Sequence, residues 1–285
     1  MSQTWYSEDT PEDPPLGIRD WLRVIRRGVP LAVNTFGCLV LLLLLRLIER
    51  PLFGARRPLT PWITQYVCRS AFVILGMGYR VEGRPLDGPG AVVANHSSWL
   101  DIFSLNAPQR IYFVSKAEVA GWPGIGWLAR ATSTLFIRRN RSEAQAHAEQ
   151  VKSRLALGHR LLFFPEGTST DGLRVLPFRS TLFSAFFAED MPRSLAIQPV
   201  TVVYTAPEGH DPRFYGWWGE MTFDGHLLKT LSAREQGSVR VIFHAPVAVA
   251  DLANRKEAAQ TLFRIVAGPI EARSKLPPVA KARPD

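Results

Sequence analysis

At 285 residues with 46% apolar side chains, the chain can build one large domain or two small ones around a full core. Its 34 basic and 25 acidic residues leave a net charge of +9, which points to an anionic partner: nucleic acid, anionic lipid or an acidic protein. The two cysteines, Cys38 and Cys68, lie in apolar segments, so they supply neither a disulfide framework nor a metal cluster, and they suit a reducing compartment.

Met1 to Pro15 is acidic, proline-bearing and aperiodic, and the first 17 residues read as a disordered tail. From Ile18 to Arg27, Arg19, Arg23, Arg26 and Arg27 interleave with Trp21, Leu22, Val24 and Ile25, the pattern of a basic amphipathic helix at a membrane surface. Val29 to Ile48 is almost wholly apolar and ends in a leucine run, long enough to cross a bilayer, with Arg46 placed to snorkel. It starts too late, and lacks the small-residue site, for a cleavable signal peptide. A weaker apolar stretch, Trp62 to Tyr79, contains Gln65 and Arg69 and reads equally as a membrane helix or a buried soluble one. Basic residues flank the first stretch on both sides, so orientation stays open between a spanning helix and a two-helix hairpin in one leaflet. Residues 18–78 are thus expected to form membrane-associated helices.

From Tyr79 the pattern changes to short apolar runs: 79–82, 91–94, 111–114, 135–137, 161–164, 196–204 and 239–243, each read as a strand. Helical patterns lie between them. The clearest, Ser142 to Leu157, begins with a capping-box signature from Ser142 and Gln145 and ends at Gly158. Pro177 to Ala188 and Asp251 to Ala267 are two more, the latter broken by Gly268-Pro269. The alternation predicts an α/β fold, a mixed and largely parallel central sheet flanked by helices, over residues 79–274; residues 275–285 read as a frayed tail.

Three strand exits carry chemistry. Asn95-His96-Ser97-Ser98-Trp99-Leu100-Asp101 puts a histidine at the end of one strand and a carboxylate five residues on, inside the next helix. That suits a general base whose tautomer a carboxylate fixes, and it equally suits a helix cap. Phe163 to Thr170 offers Glu166 followed by Gly167, Thr168 and Ser169, a carboxylate with exposed backbone amides, or a simple turn. Lys116, Arg138 and Arg139 end a third pair of strands and suit an anionic head group or phosphate, or are solvated strand ends. Gly124 and Gly126 do not complete a dinucleotide fingerprint. The five other histidines, His147, His159, His210, His226 and His244, sit in no motif and read as structural.

Taken together, these blocks resemble the glycerolipid acyltransferases typified by the 1-acyl-sn-glycerol-3-phosphate acyltransferases. Asn95, His96, Ser98 and Asp101 match the family's N-H-x-S-x-x-D block, and Phe136-Ile137-Arg138 matches its basic block. Phe164-Pro165-Glu166-Gly167-Thr168 matches the third block and Ile197-Gln198-Pro199-Val200 the fourth, all in family order between about residues 80 and 203. The resemblance implies transfer of a fatty acyl chain from a thioester to a lipid hydroxyl, with His96 as base and Asp101 orienting it. It places Ser98, Lys116, Arg138, Glu166, Gly167, Thr168 and Ser169 at the acceptor, and it calls for no metal or cofactor beyond the acyl-ACP or acyl-CoA co-substrate. The expected partners are membrane lipid and acyl carrier protein or coenzyme A, not nucleic acid. The expected location is a bacterial inner membrane, with the catalytic domain facing the cytoplasm.

One position departs from the family. Where the third block usually continues with an arginine associated with the acceptor's phosphate, this chain has Ser169. A neutral serine makes no bidentate phosphate contact. Together with Arg174-Val175-Leu176-Pro177-Phe178, this resembles the lyso-ornithine lipid acyltransferases, whose acceptor has no phosphate. Lysophosphatidic acid is the alternative acceptor, with Arg174 or Arg179 as compensating cations. A membrane-bound hydrolase using His96 and Asp101 on water, and a non-catalytic adaptor, are the readings from other classes.

Overall fold

The computed structural model describes residues 4–7, 15–122, 124–137, 144–188, 191–192 and 194–274. Arg138, Arg139 and Ser142, singled out above, lie outside them. The chain begins with α1 (Ile18–Phe53) and α2 (Thr60–Leu75). There follow β1 (Gly78–Glu82), β2 (Gly90–Ala94), α3 (Asp101–Asn106), β3 (Tyr112–Lys116), α4 (Ile125–Ala131), β4 (Leu135–Ile137), α5 (Ala144–Ala156) and β5 (Arg160–Phe163). The chain then runs through β6 (Ala196–Thr205), α6 (Phe223–Ser232), β7 (Ser238–Phe243), β8 (Val247–Ala248) and α7 (Arg255–Ser274).

The strands form one sheet in the order β1-β7-β6-β2-β5-β3-β4, with β8 also on β6. All pairings are parallel except β6–β7 and β6–β8. The expected mixed, mainly parallel sheet is therefore present. Its two faces bury separate clusters. Val92, Ala94, Leu162, Val200, Val202 and Tyr204 face α2, α3 and α6, while Ala91, Val93, Leu161, Phe163 and Ile197 face α5, α7 and a 3-10 run at Ser180–Phe187. Strands buried on both faces read as continuous apolar runs, which is why β2, with all five residues buried, was legible without alternation.

Pro199 stands inside a central strand, where a missing N–H is normally costly. Here β7 pairs from Val200 onward and β8 only as far as Ile197, so the antiparallel ladder skips residues 198 and 199. Gln198 fills the gap: its Oε1 accepts from the Leu86 amide at 2.6 Å, and its Nε2 donates to the Arg84 and His244 carbonyls at 2.8 and 3.0 Å.

Four expectations change. The 18–27 and 29–48 stretches are one 36-residue helix, about 54 Å long, that runs through Pro30 and Pro51. Arg23 and Arg27 do not face lipid. Arg27, 5% exposed, donates to the Leu231 and Ala233 carbonyls, and Arg23 donates to Ser232 O at 2.6 Å. Cations here satisfy the orphan carbonyls at the C-terminus of α6, a helix the strand-to-strand reading passed over. Arg46 pairs with the fully buried Glu49 at 3.0 Å instead of snorkelling, and Glu49 caps α2 by accepting from the Leu59 and Thr60 amides at 2.6 and 3.1 Å. Finally, α7 continues past Gly268-Pro269. The Thr201 hydroxyl donates to Val266 O at 2.9 Å, in the turn that precedes the proline.

The second apolar stretch is two-faced. Cys68, Ala71, Phe72 and Leu75 of α2 join the core, and Gln65 and Arg69 donate to the Ala107 carbonyl, whereas Trp62, Tyr66 and Val73 are exposed. Along α1, Val33, Val40, Leu44, Leu47 and Leu52 are exposed too, and only 11% of its most apolar 18-residue window is buried. The turn between the helices is tied down by Arg57, which donates to Ala131 O and to Ser133 Oγ. His159 joins this knot as a neutral group. Burial and the neighbouring Arg154 push it down to about 4, its Nδ1 accepts from Arg154 Nε at 2.8 Å, and its Nε2 lies 3.3 Å from Arg56 O.

Candidate active site

Parallel strands deliver their C-terminal loops to one edge of a sheet, and the chemically loaded blocks meet there. Ala94 ends β2, Phe163 ends β5, and the two strands are direct neighbours, so His96 and Glu166 leave the sheet side by side.

His96 Nδ1 lies 2.8 Å from Asp101 Oδ2. Asp101 is wholly buried and starts α3. The same Oδ2 accepts from the Ser97 and Ser98 amides at 2.8 and 3.0 Å, and Oδ1 accepts from the Tyr204 hydroxyl at 2.7 Å. A carboxylate with this many donors is held as an acceptor, so the His96 Nδ1 carries the hydrogen between them and Nε2 is left with its lone pair. Burial, then the Asp101 charge, keep the Tyr204 phenol well above its ordinary value, so it remains a donor. The imidazole is clamped by stacking on Phe164, with centroids 4.1 Å apart and planes 12° apart, while its side chain stays 21% exposed. The arrangement can take a proton from a hydroxyl at Nε2 and stabilise the resulting imidazolium.

Glu166 is 1% exposed and braces the loops against each other. Its Oε1 accepts from the His96 amide at 2.6 Å and its Oε2 from the Leu176 amide at 2.7 Å. Burial pushes its carboxyl up to about 8, the two amides pull it down, and Asp101 adds to the rise. Gly167 turns the chain with φ +76°, a left-handed conformation that glycine adopts without the cost a side chain would bring. Its amide donates to Phe164 O at 3.1 Å and so closes the turn rather than facing a substrate. Thr170 N donates to His96 O at 3.0 Å, and Asn95 locks to β6 through Val202 N and O at 2.8 and 2.9 Å.

The structure thus brings His96, Asp101, Glu166, Gly167 and Thr168 together. Ser98, expected on the acceptor side, is fully buried. Its amide holds Asp101 and its Oγ accepts from Leu100 N at 3.3 Å, because the turn into α3 needs those bonds. Lys116 ends β3, two strands from His96, in register with Ile137; Arg138 follows outside the described residues. Ser169 is part-buried in the loop between Glu166 and Asp171. Tyr204, the Phe164 stacking face and Trp5, whose amide donates to Thr168 Oγ1 at 3.3 Å, were missed. Phe164 had a signal, since it lies inside the third block. Tyr204 closes a long apolar strand and Trp5 sits in an aperiodic stretch, so neither had one.

Residues 79–203 match the Acyltransferase family profile. The chain is 56% identical over 255 residues to a lyso-ornithine lipid O-acyltransferase of Rhodobacter capsulatus, covering 90% of this chain and 92% of that one. It is 37% identical over 121 residues to a 1-acyl-sn-glycerol-3-phosphate acyltransferase of Neisseria gonorrhoeae, covering 41% of this chain and 47% of that one. Its fold is similar to the crystal structure of the 1-acyl-sn-glycerophosphate acyltransferase PlsC from Thermotoga maritima, with a TM-score of 0.66 at 21% identity over 92% of this chain and 98% of that one. The chain belongs to the acyltransferase family that includes the 1-acyl-sn-glycerol-3-phosphate acyltransferases, and within it to the lyso-ornithine lipid O-acyltransferase-like subgroup.

Proposed function

We propose that this protein transfers a fatty acyl chain from an acyl thioester to the hydroxyl of lyso-ornithine lipid. The observation that carries the reading is the His96–Asp101 pair, 2.8 Å apart and exposed only at the imidazole, in a chain 56% identical to a lyso-ornithine lipid O-acyltransferase. His96 Nε2 takes the proton of the acceptor hydroxyl as its oxygen attacks the thioester carbonyl. The tetrahedral intermediate then collapses, expelling the thiolate, which takes the proton back from the imidazolium. The hydroxyl attacks directly, so no residue carries the acyl group; Cys38 lies in α1 and Cys68 is buried in α2, and neither belongs to these loops. The amides of Thr168 and Ser169 are the candidate oxyanion donors, since that of Gly167 is engaged. The donor is acyl carrier protein or coenzyme A, acidic carriers that suit a chain of net charge +9.

Its setting is the cytoplasmic face of a bacterial inner membrane. Both ends of α1 are fastened, Arg27 to α6 of the catalytic domain and Glu49 to the start of α2, beside Arg57, which is itself tied to Ala131 and Ser133; this favours a hairpin lying in one leaflet over a helix that leaves the domain behind. Cysteines placed near Ile18 and near Phe53 should both react with an impermeant thiol reagent from the cytoplasmic side only; labelling from opposite sides would mean a spanning helix.

The deciding experiment gives the purified protein a labelled thioester with lyso-ornithine lipid or with lysophosphatidic acid. Label in the diacylated ornithine lipid is expected, free fatty acid alone would mean a hydrolase, and use of lysophosphatidic acid alone would sink the acceptor assignment. Ser169→Arg should shift preference toward the phosphate-bearing acceptor, and an unchanged preference would remove Ser169 from the argument.

A further inference from the structure

The aperiodic N-terminus reaches the catalytic loops. Besides the bond from the Trp5 amide to Thr168 Oγ1, the Trp5 ring packs on Trp218 with centroids 6.1 Å apart, and a Cβ on Gly219 would meet the Tyr6 ring at 3.3 Å. The Arg174 guanidinium lies over the same Trp5 ring, 5.1 Å from its centroid. Its Nε donates to Asp171 Oδ1 at 3.2 Å, and its Nη2 stands 3.0 Å from Asp171 Oδ2 as an ion pair without hydrogen-bond alignment. Asp171 is buried, while 55% of the Arg174 side chain stays exposed. One face of the guanidinium is therefore stacked, one edge is held from below, and the remaining edge is open.

The backbone that carries Arg174 is tied to the backbone that carries the base. The Thr170 hydroxyl lies 3.2 Å from Arg174 O and 3.3 Å from His96 O, so a single threonine links the two residues. Gly172 packs against Ser97, with a Cβ there at 3.5 Å from the serine's own. The loop that carries Arg174 is thus rigidly registered on the loop that carries His96.

We infer that Arg174, stacked on Trp5 and held by Asp171, is the acceptor head-group subsite, and that it takes the carboxylate of an amino-acid head group. A guanidinium edge matches a carboxylate bidentately. Because Asp171 already offsets part of its charge, the site suits one negative charge better than the one to two of a phosphate monoester. Ser169, on the same loop, adds no second cation. The inference rests on the lyso-ornithine reading and names the group that would enforce it. Trp5 is a positioning residue here, and Arg174 the specificity-determining one.

The test compares lyso-ornithine lipid with the same lipid carrying a carboxamide in place of its carboxylate, on the full chain, under steady-state conditions. Wild type should prefer the acid by about 10- to 100-fold in kcat/KM. Arg174→Gln should lower the acid to the level of the amide, chiefly through KM, and Arg174→Lys should restore part of the preference. Trp5→Ala should raise KM for the acid several-fold and leave the thioester KM alone. Equal use of acid and amide by wild type, or equal losses on both in Arg174→Gln, overturns the subsite alone. Transfer to lysophosphatidic acid with none to either ornithine acceptor overturns the acceptor reading itself.

Discussion

Asp101→Asn separates the charge of the candidate base pair from its geometry. Asp101 Oδ2 faces three N–H groups, from His96, Ser97 and Ser98, and Oδ1 faces one hydroxyl, from Tyr204. An asparagine has a single low-strain orientation there. Its carbonyl takes the Oδ2 position and keeps all three N–H bonds, and its NH2 faces Tyr204, whose hydroxyl rotates from donor to acceptor. The opposite flip would point an amide donor at three others. The variant therefore keeps the loop, the His96 tautomer and the ring position, and loses only the negative charge. Removing that charge also relieves its burial cost, so stability should move by no more than about 1–2 kcal/mol. Catalysis loses the attraction between imidazolium and carboxylate. At about 4 Å between charge centres and an effective dielectric near 20, that is about 4 kcal/mol, or roughly a thousandfold in rate. The assay is single-turnover transfer from labelled acyl thioester to lyso-ornithine lipid, with circular dichroism and thermal melting in the same detergent. A folded Asp101→Asn protein within about five-fold of wild type would refute the role given to the carboxylate. A collapse of the melting temperature would refute the claim that asparagine fits the loop.

Other outcomes follow from the same loops. Glu166 takes up a proton more readily in the fold than in the unfolded chain, with its carboxyl raised from 4.5 to about 8. Its contribution to stability is full below 4.5 and falls as pH rises toward 8, by about 1.4 kcal/mol per pH unit within that window. Denaturation of wild type and Glu166→Gln at several pH values should show this slope in the difference between them; parallel curves would mean that the carboxyl is not raised. Gly167→Ala forces a side chain into φ +76° and should cost about 1–2 kcal/mol by thermal melting, while unchanged stability would mean that the turn is not strained.

Most of the sheet could be read from the sequence, for a local reason. Strand segments such as 91–94 and 161–163 are buried on both faces, so they show as uninterrupted apolar runs whatever their neighbours. The His96–Asp101 pair was legible because five residues of strand exit and helix start suffice to close a 2.8 Å contact. Arg23 and Arg27 depart from the membrane-surface expectation because a cation on an amphipathic helix looks the same whether it meets lipid or helix C-terminal carbonyls. Leu231 and Ala233, more than 200 residues on, made that choice for Arg27. The break expected at Gly268-Pro269 is absent for the same kind of reason: α7 runs on to Ser274 while packed on the sheet, with Thr201 of β6 donating to Val266 O.

By itself, then, the sequence determined the alternation of elements, the close spacing of His96 and Asp101, and Ser169 at the position where the family it resembles usually has arginine. Each of these is a property of neighbours along the chain, where spacing alone sets distance. Which groups complete the site was left to the tertiary structure. Tyr204 on Asp101 and Glu166 under the His96 amide are brought together by the parallel pairing of β2 with β6 and β5, across 103 and 70 positions, and Trp5 reaches Thr168 from ahead of α1. No local period records such meetings, because the contacts form only once both faces of the sheet are buried.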